Sequence, residues 1–251
     1  MKTIMICLLC LMTSIVAFGQ DHLQKMVDEI EVTPPKFTGV EQEVTVLQQN
    51  ELQSIDSYLV KKIEYPEFAA KWHMQGTAVV QFVVTEKGEV TDFEVINSVS
   101  DEIDDEVIRV LRTTNGMWIP GSNNGEPVAM EKEVSIAFKL AVFPDVMNSI
   151  TTDFTAVATK SFQRGNKQLY TQGKPKKALR AYNTAIRYRP NETALLLARG
   201  ICRYELGDRE GARQDWSRLK KLEAFDYSGY LTDNLTNMKG YAELMSMLKE
   251  E

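Results

Sequence analysis

"GTAVVQFVVTEKGEVTDFEVINSVSDEIDDEVIRVL", residues 76–111, passes from one hydrophobic period to another. In its first ten residues Ala78, Val80, Phe82 and Val84 fall on one face of a strand and Val79 and Val83 on the other, so neither face is fully wet. "TEKGEV" predicts a hairpin turn, with Gly88 able to take a positive φ. "VTDFEVINSV" predicts the return strand, Phe93 and Val95 on its apolar side. Ser100 then has the chemistry of an N-cap, and Asp101 and Glu102 place negative charge at the positive end of a helix. Ile103, Val107, Val110 and Leu111 form the buried stripe of that helix.

Outward from this stretch the pattern continues on both sides. "WIPGSNNGEPV", residues 118–128, is rich in glycine and asparagine, but no helix follows whose N-terminus could hold a phosphate. Trp118 is expected to anchor the passage from helix to strand in the core. Pro120-Gly121 and Asn124-Gly125 turn the chain, and Pro127 opens the next strand without needing an N–H partner. In that strand Val128, Met130, Val134, Ile136, Phe138 and Leu140 share one face, interrupted by Lys132. Glu131, Glu133, Ser135 and Lys139 face the other way, as on a charged, protected edge strand. Upstream, Leu52, Ile55, Leu59 and Ile63 predict a short amphipathic helix, and Pro66 is tolerated at the first position of the next helical turn. Residues 51–140 therefore read as α+β: a small antiparallel sheet with a packed helix. The lead, residues 20–50, is polar, and "VTPPKFTG" breaks any helix there.

These landmarks resemble the TonB C-terminal domain family. They are Tyr65-Pro66, Ala69, Gly76, the Gly88 turn, the Asp101-to-Leu111 helix, Trp118 with Pro120-Gly121, and Gly125 with Pro127-Val128. "PPKFTG" resembles the lead-in of envelope proteins that carry this domain, so the likeness covers residues 33–140. The resemblance implies pairing of an exposed strand with a short receptor segment, placed here on Val128, Met130, Lys132, Val134, Ile136 and Phe138. Departures are equally specific. No Pro-rich spacer precedes the domain, and about 110 residues follow it. The force-transmitting role of an energy transducer is therefore not implied with the fold.

After a linker at 141–156 the chain repeats at one spacing. Tyr170 and Tyr204, Gly173 and Gly207, Ala178 and Ala212, and Tyr182 and Trp216 are each 34 residues apart. That period resembles the tetratricopeptide (TPR) repeat, and predicts helix pairs near 158–189 and 192–223 in an all-α, TPR-like domain over 157–251. Asn166 stands where a small residue is usual, while Gly200 fits. The C-terminal segment leaves the pattern and is expected to cap the repeats. By the family's register Gln163, Lys167, Tyr170 and Thr171, then Leu197, Ile201, Tyr204 and Glu205, would line a concave partner-binding face. Two repeats that only bridge parts of one protein would bind no peptide there.

The first nineteen residues have one basic residue, an apolar run from Ile4 to Val16, and "AFG" as a small-x-small cleavage site. They read as a secretory signal peptide, and the run is short for a membrane span. Leu9 before Cys10 argues against lipidation. Cleavage leaves Cys202 as the one thiol, expected to be buried and inert, so stability must come from packed cores. The expected location is the periplasm of a Gram-negative-type envelope, with no membrane span after cleavage. The expected partners are envelope proteins: an outer-membrane receptor or a peptide segment.

Charge is divided along the chain. Residues 20–159 hold 10 Lys/Arg against 24 Asp/Glu, and residues 160–222 hold 16 against 5. The basic half suits an acidic partner or the acidic half itself. Behind a signal peptide it does not point to nucleic acid. His22 and His73 lack companions at metal-ligand spacing, and no nucleophile, Walker or zinc-protease motif occurs. "SDEIDDE" lacks the glycine and spacing of a calcium loop. The reading is non-enzymatic, with no catalytic residues, cofactor or metal.

Overall fold

The structure, a computed structural model, describes residues 31–39, 54–140, 152–222 and 237–249. The leader, His22, Leu52 and most of the expected lead and linker lie outside them. The described chain forms two compact units. Among the described residues, one unit draws on those up to Tyr58 with Phe82–Phe93 and Leu111–Lys132, the other on Leu59–Gln81, Glu94–Val110 and those from Glu133 onward. Strands β3, β4 and β8 and helix α3, defined below, contribute residues to both.

The element order is β1 (Val32–Thr33), β2 (Lys36–Phe37), α1 (Ile55–Lys62), α2 (Glu67–Lys71), β3 (Gly76–Val84), β4 (Val90–Asn97) and α3 (Asp101–Arg112). Then come β5 (Trp118–Ile119), β6 (Gly121–Asn123), β7 (Glu126–Val128) and β8 (Met130–Phe138). The helical part comprises α4 (Phe154–Asn166), a π turn (Lys167–Thr171), α5 (Pro175–Tyr188), α6 (Thr193–Glu205), α7 (Arg209–Lys221) and α8 (Tyr241–Lys249). The fold is α+β, with small antiparallel sheets followed by an all-α region.

The principal sheet has the order β4-β3-β8. Its middle strand is covered unequally on its two faces: Ala78, Val80, Phe82 and Val84 on one are fully buried, and on the other Val79 is fully buried while Thr77, Gln81 and Val83 are half-buried. Gly88 takes φ 77 in the hairpin as expected. The return strand departs from expectation. Val95 is 37% exposed, although two-residue alternation puts it on the apolar side. Phe93, two residues earlier, is half-buried and stacks on Phe82, whereas Val95 lines an open cavity. In α3 the stripe Ile103, Val107, Val110 and Leu111 is buried as read, and Ser100 Oγ accepts from Ile103 N.

In the first unit Trp118 is the centre of an aromatic cluster. Its ring lies 5.5 Å from Phe82 and 5.2 Å from Phe37, and its indole N–H donates to Thr114 Oγ1 at 3.0 Å. Phe37 comes from the lead segment, which adds two strands: β2 pairs with β5, and β1 joins the sheet β1-β6-β7. Asn124 (φ 51) and Gly125 (φ 82) are both left-handed, the requirement of a type I′ two-residue hairpin between β6 and β7. Val128 therefore belongs to this hairpin, opposite Gly121, and the long strand begins at Met130.

In the second unit the helices form two hairpins, α4–α5 and α6–α7. Each closes around a glycine that faces an aromatic ring, because a Cβ there would enter the ring. Gly200 lies against Trp216, and Gly165 lies against Tyr182. The expectation at Asn166 is thereby corrected. The π turn takes up one additional residue, so the small position in the first hairpin is Gly165, 35 residues before Gly200. Asn166 instead accepts a hydrogen bond from Tyr182 Oη at 2.8 Å.

Candidate partner-docking surfaces

Strand β8 alternates as its sequence demands. Val134, Ile136 and Phe138 are buried at 4%, 8% and 4% exposure, and the Phe138 ring meets Tyr65 edge-on at 5.5 Å. These three residues hold the strand to the core, so what β8 offers a partner is its backbone edge. Met130 and Lys132 are half-buried, and Val128 is paired within the β6–β7 hairpin. Since β8 ends the order β4-β3-β8, no strand lies beyond it among the described residues. β8 is nine residues long, and a terminal strand in general offers one row of backbone N–H and C=O groups as a template for strand addition.

Within the second unit the helices are fixed to the outer face of this sheet. Arg218 on α7 holds Glu133 of β8 in a fork, Nη1 to Oε2 at 2.9 Å and Nη2 to Oε1 at 2.8 Å. Arg218 Nη2 also donates to Asn191 Oδ1 at 2.6 Å, and Asn191 reaches Ser135 Oγ at 3.4 Å. On β3, Thr77 Oγ1 donates to the Tyr188 carbonyl at 2.9 Å. Gly76 leaves room for the chain of Arg187: a Cβ there would lie 2.8 Å from Arg187 Cγ. Thr77 shares its face with Val79, so the less covered face of β3 is the one the helices meet. The charge division in the sequence is used internally here, a basic helix against an acidic strand.

The expected concave residues have different fates. Gln163 and Lys167 are exposed, while Leu197 and Ile201 are buried in a cluster with Trp216, Leu219 and Leu244 of α8. Tyr170 packs partly against the same cluster, and burial pushes its hydroxyl up to about 12. Tyr204 stacks on Trp216 and donates to Glu243 Oε2 at 3.1 Å, and Glu205 accepts from Lys239 N. Arg213 completes the attachment by binding Glu243. The chain's own C-terminal helix thus covers the second hairpin's part of this face, over Leu197 and Ile201, while Gln163 and Lys167 stay exposed. The segment that leaves the 34-residue period was expected to cap the repeats, but the period carried no sign that it would do so on residues read as partner-binding.

Cys202 is fully buried, and burial raises its thiol to about 11, so it is a packing group. Asp215 is 2% exposed and takes both Arg199 (2.6 Å) and Arg203 (2.9 Å). Burial raises its carboxyl, and the two guanidinium groups oppose that rise. Sequence reasoning did not find this triad, whose members lie on two helices with charge alone as a signal. Among the described residues no group of three or more His, Cys, Asp or Glu side chains is placed to hold a metal ion, and no helix is long and apolar enough to cross a membrane.

With this geometry in place, residues 61–140 match the family model for the Gram-negative bacterial TonB protein C-terminal, under half of the chain. Two solved structures are similar, both NMR solution structures of the Helicobacter pylori TonB C-terminal domain. The one covering residues 179–285 is 20% identical, with 34% of this chain and 77% of that chain covered and a TM-score of 0.28. The one covering residues 194–285 is also 20% identical, with 34% and 87% covered and a TM-score of 0.27. No curated protein matches the chain.

Proposed function

We propose that the chain is a non-enzymatic adaptor of the cell envelope, which docks a partner by strand addition at the β8 edge. One observation carries the reading: within the segment that matches the TonB C-terminal family, β8 ends its sheet and is anchored by Val134, Ile136 and Phe138. Backbone pairing at such an edge supplies affinity, and side chains beside it supply choice of partner. The partner in this reading is an extended segment of an envelope protein, an outer-membrane receptor being the first candidate. We read α4–α7 as two tetratricopeptide-like hairpins, supported by the 34-residue spacing and the two glycine–aromatic contacts. Their part is to stiffen the sheet from its outer face, with α8 as their cap.

Proline at Ser135 removes a backbone N–H from the strand. Pull-down from envelope extract with Ser135→Pro, alongside circular dichroism to confirm folding, tests the reading. Loss of one partner from a folded variant supports it, and survival of every partner overturns it. The family match also favours a second reading, an energy transducer that serves outer-membrane receptors. That role needs a retained membrane anchor, and N-terminal sequencing of the mature protein separates the two. A chain beginning at Gln20 in the soluble fraction excludes the transducer.

A further inference from the structure

At the other margin of the sheet, β4 borders a cavity of about 510 Å³, formed wholly within the second unit. Five consecutive residues, 94–98, make one wall, and α6 and α7 make the other. Since β4 ends the order β4-β3-β8, this wall is a second sheet edge with no strand beyond it among the described residues. Val95 stands in it 37% exposed, an apolar side chain in a largely polar space.

The helical wall carries Arg199, Arg203, Arg218 and Lys221. Two carboxylates share the lining, Asp215 on the helical wall, held by two guanidinium groups, and Glu94 on the strand wall, so the cationic side chains are in excess. Arg218 is held by Glu133 from β8, and its Nε is enclosed without a hydrogen-bond partner. Cationic groups fixed in this way are pre-organised: their rotamers are already ordered by Asp215, Glu133 and Asn191, and what they offer a ligand is positive charge with the N–H groups those partners leave. The volume is in the range of ligand sites, and the length of exposed strand edge, about 13 Å, suits a chain better than a small molecule.

We infer that the cavity between β4 and the α6–α7 pair is a second docking site, for an extended peptide with carboxylate side chains. Its backbone pairs with β4, one face of the added strand meets Val95, and its carboxylates meet the arginine wall. The site is on the opposite sheet margin from β8, so it stands or falls separately from the proposed adaptor edge.

The probe is a fluorescein-labelled, end-blocked peptide alternating Val and Glu, titrated into the full chain by anisotropy. Three controls accompany it: a Val/Lys peptide, the Val/Glu peptide N-methylated at alternate residues, and the protein variant Gln214→Glu/Lys221→Glu. Both protein substitutions fall on exposed positions of α7, so the fold is retained. Saturable binding of the Val/Glu peptide is expected, weakened about tenfold or more by each control. Amide exchange should slow at residues 94–98. Equal binding of the Val/Lys peptide, indifference to N-methylation, or no binding of the Val/Glu peptide overturns the inference. Protection at 130–138 in place of 94–98 also overturns it, and assigns the peptide to β8.

Discussion

The Arg218–Glu133 fork joins a helix to a strand 85 residues earlier, and its removal has a calculable cost. The Arg218 side chain is 13% exposed and that of Glu133 28%, so the pair is largely but not fully withdrawn from water. Breaking a fully buried pair by deleting one partner costs about 3–5 kcal/mol, because the survivor is left charged and unpaired. Here water in the adjoining cavity can hydrate the survivor, and we expect about 2 kcal/mol for Arg218→Met and about 1–2 kcal/mol for Glu133→Gln. The double variant Arg218→Met/Glu133→Gln leaves no orphaned charge and should cost less than the sum of the singles, a coupling of about 1–2 kcal/mol. Urea unfolding of the four proteins, with unchanged m-values as the condition for comparison, gives the cycle directly. Additivity within about 0.5 kcal/mol would show that the fork does not fasten the helices to the sheet and would refute the reasoning.

Other outcomes follow from single sites. Gly200→Ala puts a Cβ 2.6 Å from Trp216 Cδ1, and overpacking should cost about 1–3 kcal/mol in urea unfolding. Gly165→Ala, which meets Tyr182, should cost a similar amount, whereas Asn166→Ala should lose only the Tyr182 hydrogen bond, about 1 kcal/mol. Leu244→Ala in the cap opens a cavity under Leu197 and Ile201, and should destabilise by about 2–5 kcal/mol with increased binding of a hydrophobic dye. Asp104 responds to pH through burial, which raises its carboxyl above the ordinary 3.8 against hydrogen bonds from Ser98 and the Val99 N–H. A raised folded value means that the native state keeps the proton longer. Its contribution is complete below 3.8 and is lost as pH rises through the folded value. Asp104→Asn should flatten that part of the stability profile measured by urea midpoints.

The elements whose signal is local were readable from the chain itself. The β3–β4 hairpin, the α3 stripe and the role of Trp118 each rest on residues within a few positions of one another. Readings failed where the count or the cover changed. The π turn moved the small position from Asn166 to Gly165, and Val95 is uncovered because it lines an open cavity. Neither leaves a mark in a periodicity, since a period assumes that the backbone and its surroundings repeat. Long-range pairings were equally hidden. Nothing in "PPKFTG" says that Phe37 packs on Trp118, and the expected C-terminal cap carried no sign that it would cover Leu197 and Ile201, which were read as part of a partner-binding face. The edge itself was legible in the alternation of β8, but which of its atoms remain for a partner depends on the buried face. Val134, Ile136 and Phe138 are spent on the core, which leaves the backbone.

The central claim is strand addition at β8, and photo-crosslinking in intact cells tests it most directly. A photoreactive amino acid at Glu131 or Ala137, both exposed on β8, is compared with one at Lys177, exposed on α5. The account predicts an adduct with the same envelope protein from both β8 positions and none from Lys177. No adduct from β8, or equal adducts from all three positions, would contradict it.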